Sequence, residues 1–121
     1  MKQTFDEENK VITIETPGGY KITISDEEKE IRLTDQKGSV IKMNEHGIVL
    51  ESKGDLVLKA QKNITMESGM ATTIKAKTNL KSEAMNVETK AKVNLKMQGT
   101  ASTELSADGH TVVKGAVVMI N

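Results

Sequence analysis

Apolar and polar residues alternate along most of this chain, and the alternation restarts at a fixed interval. From Ile48 onward the pattern is large–x–large–x–small, and it begins again every eighth residue except for one seven-residue step. The small position is Ala, Ser or Gly in all nine copies. Because successive side chains of a strand point to opposite faces, positions 1, 3 and 5 are predicted to face inward. A short repeat of one unit predicts a solenoid or fibre instead of a compact globule.

Less regular strands are predicted before the repeat. They are runs rich in β-branched residues and separated by turn residues, at 11–16, 20–25, 30–34 and 39–43. We interpret them as the beginning of the same architecture and residues 1–10 as a polar tether. The chain is therefore divided into residues 1–16 (tether and first strand), 17–47 (irregular first strands) and 48–121 (regular octad-repeat β-helix).

Two assemblies fit a repeat in which each unit forms one side of a prism. One chain could wind as a three-sided solenoid, or three identical chains could intertwine about a common axis. The small inward residues and the absence of Trp favour three chains, since a single chain would leave its interior poorly filled. The predicted fold is therefore all-β, an intertwined triple-stranded β-helix (a three-sided β-prism) and an obligate homotrimer without significant helix. An isolated chain is expected to be largely unfolded.

The residues predicted to line the trimer axis are the large inward ones of each repeat. They are Ile48, Leu50, Leu56, Leu58, Ile64, Met66, Ile74, Leu80, Val87, Leu95, Met97, Leu105 and Val113.

In the first six copies the outward residue before the small position alternates in sign. The series is Glu51, Lys59, Glu67, Lys75, Glu83 and Lys90. Strands stacked on one face would place opposite charges side by side, with each exposed pair contributing roughly 0.2–1 kcal/mol. Such a ladder would fix register more than it adds stability. It fits both the solenoid and the trimer, so it does not discriminate between them.

Composition narrows the possible functions. The 121 residues include one Phe, one Tyr and no Cys, which excludes disulfide and thiol chemistry. The 17 basic and 17 acidic residues are interspersed without a basic stripe, so no nucleic-acid partner is expected. No signal peptide is expected at the N-terminus, and no segment approaches the roughly 20 apolar residues of a membrane helix.

No active site is predicted from the sequence. His46 lies in a predicted surface turn and His110 at a predicted outward turn position, so neither is expected to bind metal. The acidic pairs 7–8 and 27–28 lie in predicted turns without pocket-forming neighbours. We therefore expect no enzyme activity, no cofactor and no metal.

Several segments resemble a known family. The octads at 54–60 (GDLVLKA) and 62–68 (KNITMES) resemble the needle of VgrG spike proteins of bacterial type VI secretion systems. Those needles are similar to the central spikes of contractile phage tails. Residues 17–24, 31–41 and 114–121 resemble the start, the following hairpin-like element and the end of that needle, so the similarity covers residues 17–121.

The resemblance implies a structural, membrane-puncturing spike of a contractile injection machine. It implies a tail tube or hub on the N-terminal side, and a PAAR-type tip protein or effector on a blunt C-terminal tip. The platform for the tip protein would be formed by Val117, Val118, Met119, Ile120 and Asn121. The His-x-His metal pair of some phage spikes is not carried over, because only His110 is present.

The resemblance also implies where the protein is found and which domain usually precedes it. The protein is expected in the bacterial cytoplasm during assembly, and then outside the cell or in a target cell, or in a virion, with transient contact to the target membrane. Family members usually carry an oligonucleotide-binding-fold domain before the needle, so we expect a fragment or a spike-only subunit. The alternative function is that of a single-chain β-solenoid acting as an adhesin or surface-binding module. A polysaccharide-active enzyme is disfavoured, because aromatic platforms are absent.

Overall fold

The computed structural model describes all 121 residues. Six strands of five residues each form one antiparallel sheet in which every strand pairs with the next in the chain. The strands are β1 (Lys2–Asp6), β2 (Val11–Glu15), β3 (Lys21–Ser25), β4 (Glu30–Thr34), β5 (Val40–Asn44) and β6 (Gly47–Glu51). All strand connections are short hairpin turns, so the sheet is built entirely from local pairings.

The hairpin turns end where the backbone adopts positive φ. Gly19 and Gly38 take this conformation in the β2–β3 and β4–β5 turns, with φ of 91° and 96°. Glycine has no Cβ and adopts it freely. Lys10 and Lys29 also adopt positive φ, 56° and 54°, as the last residues before β2 and β4, whereas one further residue follows Gly19 and Gly38 before the next strand. The turn chemistry thus fixes the hairpin register on which the faces of the sheet depend.

One face of the sheet is almost entirely apolar. Cross-strand pairing aligns Ile12 with Ile24, and Ile24 in turn with Ile31. Two rows of side chains cross the sheet in this way, and only Gln3 interrupts them. We call their apolar members the apolar face: Phe5, Ile12, Ile14, Ile22, Ile24, Ile31, Leu33, Ile41, Met43, Ile48 and Leu50. The opposite face carries mostly polar residues, such as Thr13, Thr23 and Arg32.

Nothing within the chain covers the apolar face. Its side chains are between 37% exposed (Ile12 and Ile14) and 66% exposed (Ile48). No hydrophobic residue of the chain is buried, and Ser25 is the only buried residue. A half-apolar sheet is stable only when a second layer packs on it. That second layer is not supplied by this chain.

Beyond Glu51 the chain has no strand paired within itself. The backbone instead runs as eight six-residue extended segments and a final one of four residues, separated by bends. The bends lie at residues 53–54, 61–62, 69–70, 77–78, 85, 92–93, 100–101, 108–109 and 116–117. The seven-residue step is taken up by a one-residue bend at Met85, which leaves the extended segments on both sides at full length. The octad seen in the sequence is therefore a structural period.

The chain divides into two units, Met1–Ala71 and Thr72–Asn121. The first contains the sheet and the first octads. The second consists of extended segments and bends throughout. The chain contains no helix that could span a membrane.

The all-β, helix-free prediction is confirmed. The expected strands before the repeat correspond to β2, β3, β4 and β5, with ends shifted by at most one residue. The prediction of a tether over residues 1–10 is wrong, because Lys2–Asp6 forms β1 and places Phe5 opposite Ile12. The expectation that the isolated chain is largely unfolded stays a prediction, but residues 2–51 depart from the intertwined pairing on which it rests. Their strands find hydrogen-bond partners within the chain, so they do not share the pairing expected of an intertwined repeat.

The contribution of the β4–β5 turn to stability can be tested at Asp35. Hydrogen bonds from the backbone N–H groups of Ser39 (2.8 Å) and Lys37 (2.9 Å) hold the pKa of its carboxyl below the ordinary value of 3.8. Because the folded pKa lies below the unfolded one, the carboxylate stabilises the turn above the unfolded pKa, and this stabilisation is lost as pH falls through the folded pKa.

Asp35→Asn keeps an acceptor oxygen but removes the charge. We expect lower thermal stability near about pH 7 and a weaker loss of stability in acid, measured by circular dichroism down to about pH 2. Glu27→Gln is the control, because that exposed carboxylate forms no hydrogen bond or ion pair. Identical acid profiles for wild type and Asp35→Asn would contradict the assignment.

Candidate functional site

The candidate site is an uncovered apolar surface, not a pocket. All thirteen residues predicted for the trimer axis are exposed in the isolated chain, from 53% for Leu50 to 78% for Met97. Ile48 and Leu50 lie on β6 and belong to the apolar face. The other eleven lie at alternate positions of the extended segments. The chain therefore arranges these residues on one side of each segment and buries none of them.

The apolar face continues into the first octad. Leu33, Ile41 and Leu50 line an open cleft of about 340 Å³ together with Leu56, the first large inward residue after the sheet. Side chains that lie on different elements thus share one apolar surface within the unit Met1–Ala71. The apolar face of the sheet is therefore continuous with the first octad, although the sheet is paired within the chain and the octad is not.

Polar side chains hold the bend that leads out of the sheet. The Ser52 hydroxyl donates to the carbonyl oxygen of Asp55 (2.8 Å) and accepts from the N–H of Gly54 (3.1 Å). The N–H of Lys53 donates to the hydroxyl of Ser39 (3.0 Å) in the neighbouring turn. These bonds satisfy backbone groups that the sheet no longer pairs, so the direction of the first octad is fixed locally.

The small inward position has a steric cause at two copies. A Cβ at Gly99 would overlap the carbonyl oxygen of Ser102, because the chain bends just after this residue. The N–H of Gly99 also donates to the Thr103 hydroxyl across the bend (3.1 Å). At Gly115 a Cβ would lie 3.1 Å from the carbonyl oxygen of Val117. Glycine is thus required at Gly99 and favoured at Gly115, whereas the other seven small positions accommodate the Cβ of Ala or Ser.

The accessible surface of the isolated chain shows how much must be covered. The chain exposes 12633 Å². A globular monomer of 13.2 kDa would expose about 6,400 Å². The excess, about 6,000 Å² per chain, is larger than the interface of most permanent complexes. An uncovered surface of this size is typical of a subunit that is stable only within an assembly.

The titratable groups with shifted pKa values lie in the sheet and its turns. Hydrogen bonds from Asn9 lower the pKa of Asp6, and the hydrogen bond from the Arg32 side chain (3.0 Å) lowers the pKa of Glu30. No three His, Cys, Asp or Glu residues lie together in a metal-binding arrangement. His46 is exposed and lies 4.0 Å from Glu45 in the β5–β6 turn, and His110 is exposed at the start of an extended segment. These groups do not converge on a common point.

The residues predicted for the tip are apolar and exposed. Val117 lies in the last bend, and Val118–Asn121 form the final extended segment. Met119 and Ile120 are each 88% exposed, whereas Val118 is 48% exposed. Asn121 has a φ of 64°. The chain thus ends in a cluster of large apolar side chains without in-chain partners.

An all-β chain whose apolar surface is left for other copies defines a structural, self-associating class of protein. The family model of the phage baseplate V C-terminal trimerisation domain matches residues 11–121, and the chain belongs to this family. Comparison with curated proteins gives no match.

The family assignment confirms the predicted relationship to the C-terminal region of VgrG-type and phage tail spikes. It supports a structural role in a baseplate or spike and self-association as a homotrimer. Other copies of the chain are then the natural cover for the exposed apolar surface. The single-chain solenoid finds no support, because residues 52–121 form no strand ladder with one another.

Sequence reasoning missed the larger part of the apolar face. Nine of its members, from Phe5 to Met43, were not assigned to the axis, although all but Phe5 show the same period-two alternation as the repeat. In β1 only Phe5 is apolar, so the sequence there carries no alternation that predicts a strand.

Leu58 tests the inward assignment. Leu58→Asp would place a carboxylate from every chain in the apolar interior, where an unpaired charge is strongly unfavourable. We expect no trimer, measured by size exclusion with light scattering. Val57→Asp is the matched control, since Val57 is 76% exposed and Leu58 is 65% exposed in the isolated chain, yet only Leu58 is predicted to face inward. Equal behaviour of the two variants would show that the faces are wrongly assigned.

Proposed function

We propose that this protein is the needle of a contractile injection machine, either a type VI secretion system or a phage-like tail. Three copies form an obligate trimer with the outline of a three-sided β-prism. Over residues 52–121 the chains intertwine, and every backbone ladder joins neighbouring chains. The carrying observation is that these residues have neither in-chain strand pairing nor buried apolar side chains.

The sheet plays a different part in this assembly. Each chain pairs β1 to β6 by itself, so the three sheets become the sides of the prism and cover one another's apolar faces. Covering the part of each side chain that is still exposed contributes roughly 1–2 kcal/mol, which favours association before the ordering of the chains is counted. The exposed apolar face and the family of trimerisation domains support this arrangement.

The work of such a needle is mechanical. A shaft whose chains are hydrogen-bonded to one another along their length resists axial load better than stacked globules do. It can therefore transmit the thrust of a contracting sheath to a small area of a target envelope. No catalytic group is required for this role, and the needle contacts the target membrane only in passing.

The two ends of the needle meet different partners. On the N-terminal side we place the hub and tail tube of the machine. At the other end three copies of Val117–Asn121 form an apolar platform for a PAAR-type tip protein or effector. The resemblance to spike needles and the exposure of Met119 and Ile120 support this assignment. The protein would assemble in the bacterial cytoplasm, or in a virion, and leave with the injected tip.

The trimer is tested by mass. Light scattering after size exclusion should give three times the chain mass of 13.2 kDa. A species of single-chain mass that retains the full β-sheet signal would exclude the needle.

The tip platform is tested separately. The double variant Met119→Asp with Ile120→Asp should remain a trimer but lose binding of a PAAR-type tip protein in biolayer interferometry, because charges replace the apolar platform. Thr65→Asp with Thr73→Asp is the control, as these residues point outward along the repeat and far from the tip in sequence. Unchanged binding by the Met119/Ile120 variant would remove the platform from the proposal.

A further inference from the structure

The outward face of the extended segments carries two charge series. In each six-residue segment the even positions face inward, and the third and fifth residues lie on the opposite face. The fifth residues form the first series: Glu51, Lys59, Glu67, Lys75, Glu83 and Lys90. The third residues form the second: Lys81, Glu88, Lys96 and Glu104. In both series every step from one segment to the next changes the sign, and the second series continues after the first ends.

The alternation follows position in the segment, not distance in the sequence. At Met85 the bend loses one residue, so corresponding positions on its two sides are seven residues apart. Both series keep their sign change across this step, from Glu83 to Lys90 and from Lys81 to Glu88. A coincidental spacing of charges would be shifted off the outward face here. The charges therefore follow the geometry of the strands.

Within one chain these charges lack partners on other segments. Lys90 and Glu88 form an ion pair of 3.5 Å inside a single segment, with side chains 86% and 80% exposed. Lys53 and Glu51 form another (3.3 Å) at the bend after β6. None of the five ion pairs joins one extended segment to the next. Partners for the two series must come from a second copy.

The apolar positions cannot set the alignment of the copies. Every octad presents nearly the same large–large–small set, so a slip of one octad would bury almost the same residues. The charges differ, because such a slip places like charges next to each other on adjacent strands, which is destabilising. The sign of the outward residue is thus the feature that distinguishes the correct alignment from its nearest alternatives.

We propose that the two series form ionic ladders between the chains of the trimer, fix their alignment and select partners with the same charge pattern. This rests on the proposed intertwined trimer. Consecutive octads from different chains lie side by side on one face of the prism, about 4.8 Å apart. A lysine of one chain then lies between glutamates of its two neighbours, and the opposite holds for each glutamate. A chain with reversed charges meets like charges as long as its sheet is level with those of its partners, and a slip of one octad that restored the charges would move its sheet out of line.

Partner selection gives the test. A fully reversed chain carries Glu→Lys at residues 51, 67, 83, 88 and 104 and Lys→Glu at residues 59, 75, 81, 90 and 96. It keeps the formal net charge of +0 and the alternation. Wild type and the reversed chain are unfolded, mixed and refolded together at low salt, and trimers are counted by native mass spectrometry. We expect two homotrimers, with mixed trimers below about a tenth of their statistical amount.

Salt separates the ladder from other causes of sorting. At about 1 M salt the screening length falls to roughly 3 Å, so mixed trimers should appear. Statistical mixing at low salt would overturn the ladder while leaving the trimer intact. Absence of any trimer for wild type alone would instead overturn the proposed function.

A smaller exchange keeps the inference testable if the reversed chain fails to assemble. Lys59→Glu with Glu67→Lys conserves net charge but creates like-charged neighbours at both ends of the exchanged pair. We expect a lower melting temperature than wild type at low salt, with the difference closing at high salt. The control exchanges Lys92→Glu with Asp108→Lys, which both lie in bends. An equal effect of the two exchanges, or none from the first, would contradict the ladder.

Discussion

The organisation of this protein depends on one constraint. Beyond the sheet, the chain neither pairs its backbone hydrogen-bonding groups nor buries its apolar side chains. From residue 52 onward the chain is extended, yet no ladder pairs its N–H and C=O groups within the chain. Its large inward side chains are more than half exposed. Peptide groups need hydrogen bonds and apolar side chains need cover, so neither condition is stable alone. Both are met at once when identical extended segments from other copies lie alongside.

The two parts of the chain meet this need at different stages. The sheet of residues 2–51 is built from adjacent hairpins, and such local pairings form quickly. It satisfies its own backbone but leaves the apolar face open. Within the chain, the repeat satisfies neither its backbone hydrogen-bonding groups nor its apolar side chains. A sheet that forms first and then associates through its apolar face would bring three repeats together at one end, where alignment can begin.

Sequence reasoning recovered what the local pattern encodes. Alternation with period two predicted the strands, and the small positions predicted the bends, including the steric requirement at Gly99. It could not say where a strand finds its partner, because alternation shows which face is covered but not by which chain. β1 escapes prediction for a different reason, since Phe5 is its only apolar residue. The thirteen residues proposed for the trimer axis follow from the repeat alone, whereas the apolar face from Phe5 to Met43 required the register of the hairpins.

The octad with its alternating outward charge also constrains how such a protein can change length during evolution. Gain or loss of one octad would preserve the apolar interior but would bring equal signs together at the junction. Duplication or deletion of two consecutive octads would preserve both. The natural unit of growth is therefore a pair of octads, and related shafts of different reach are expected to differ by multiples of that pair.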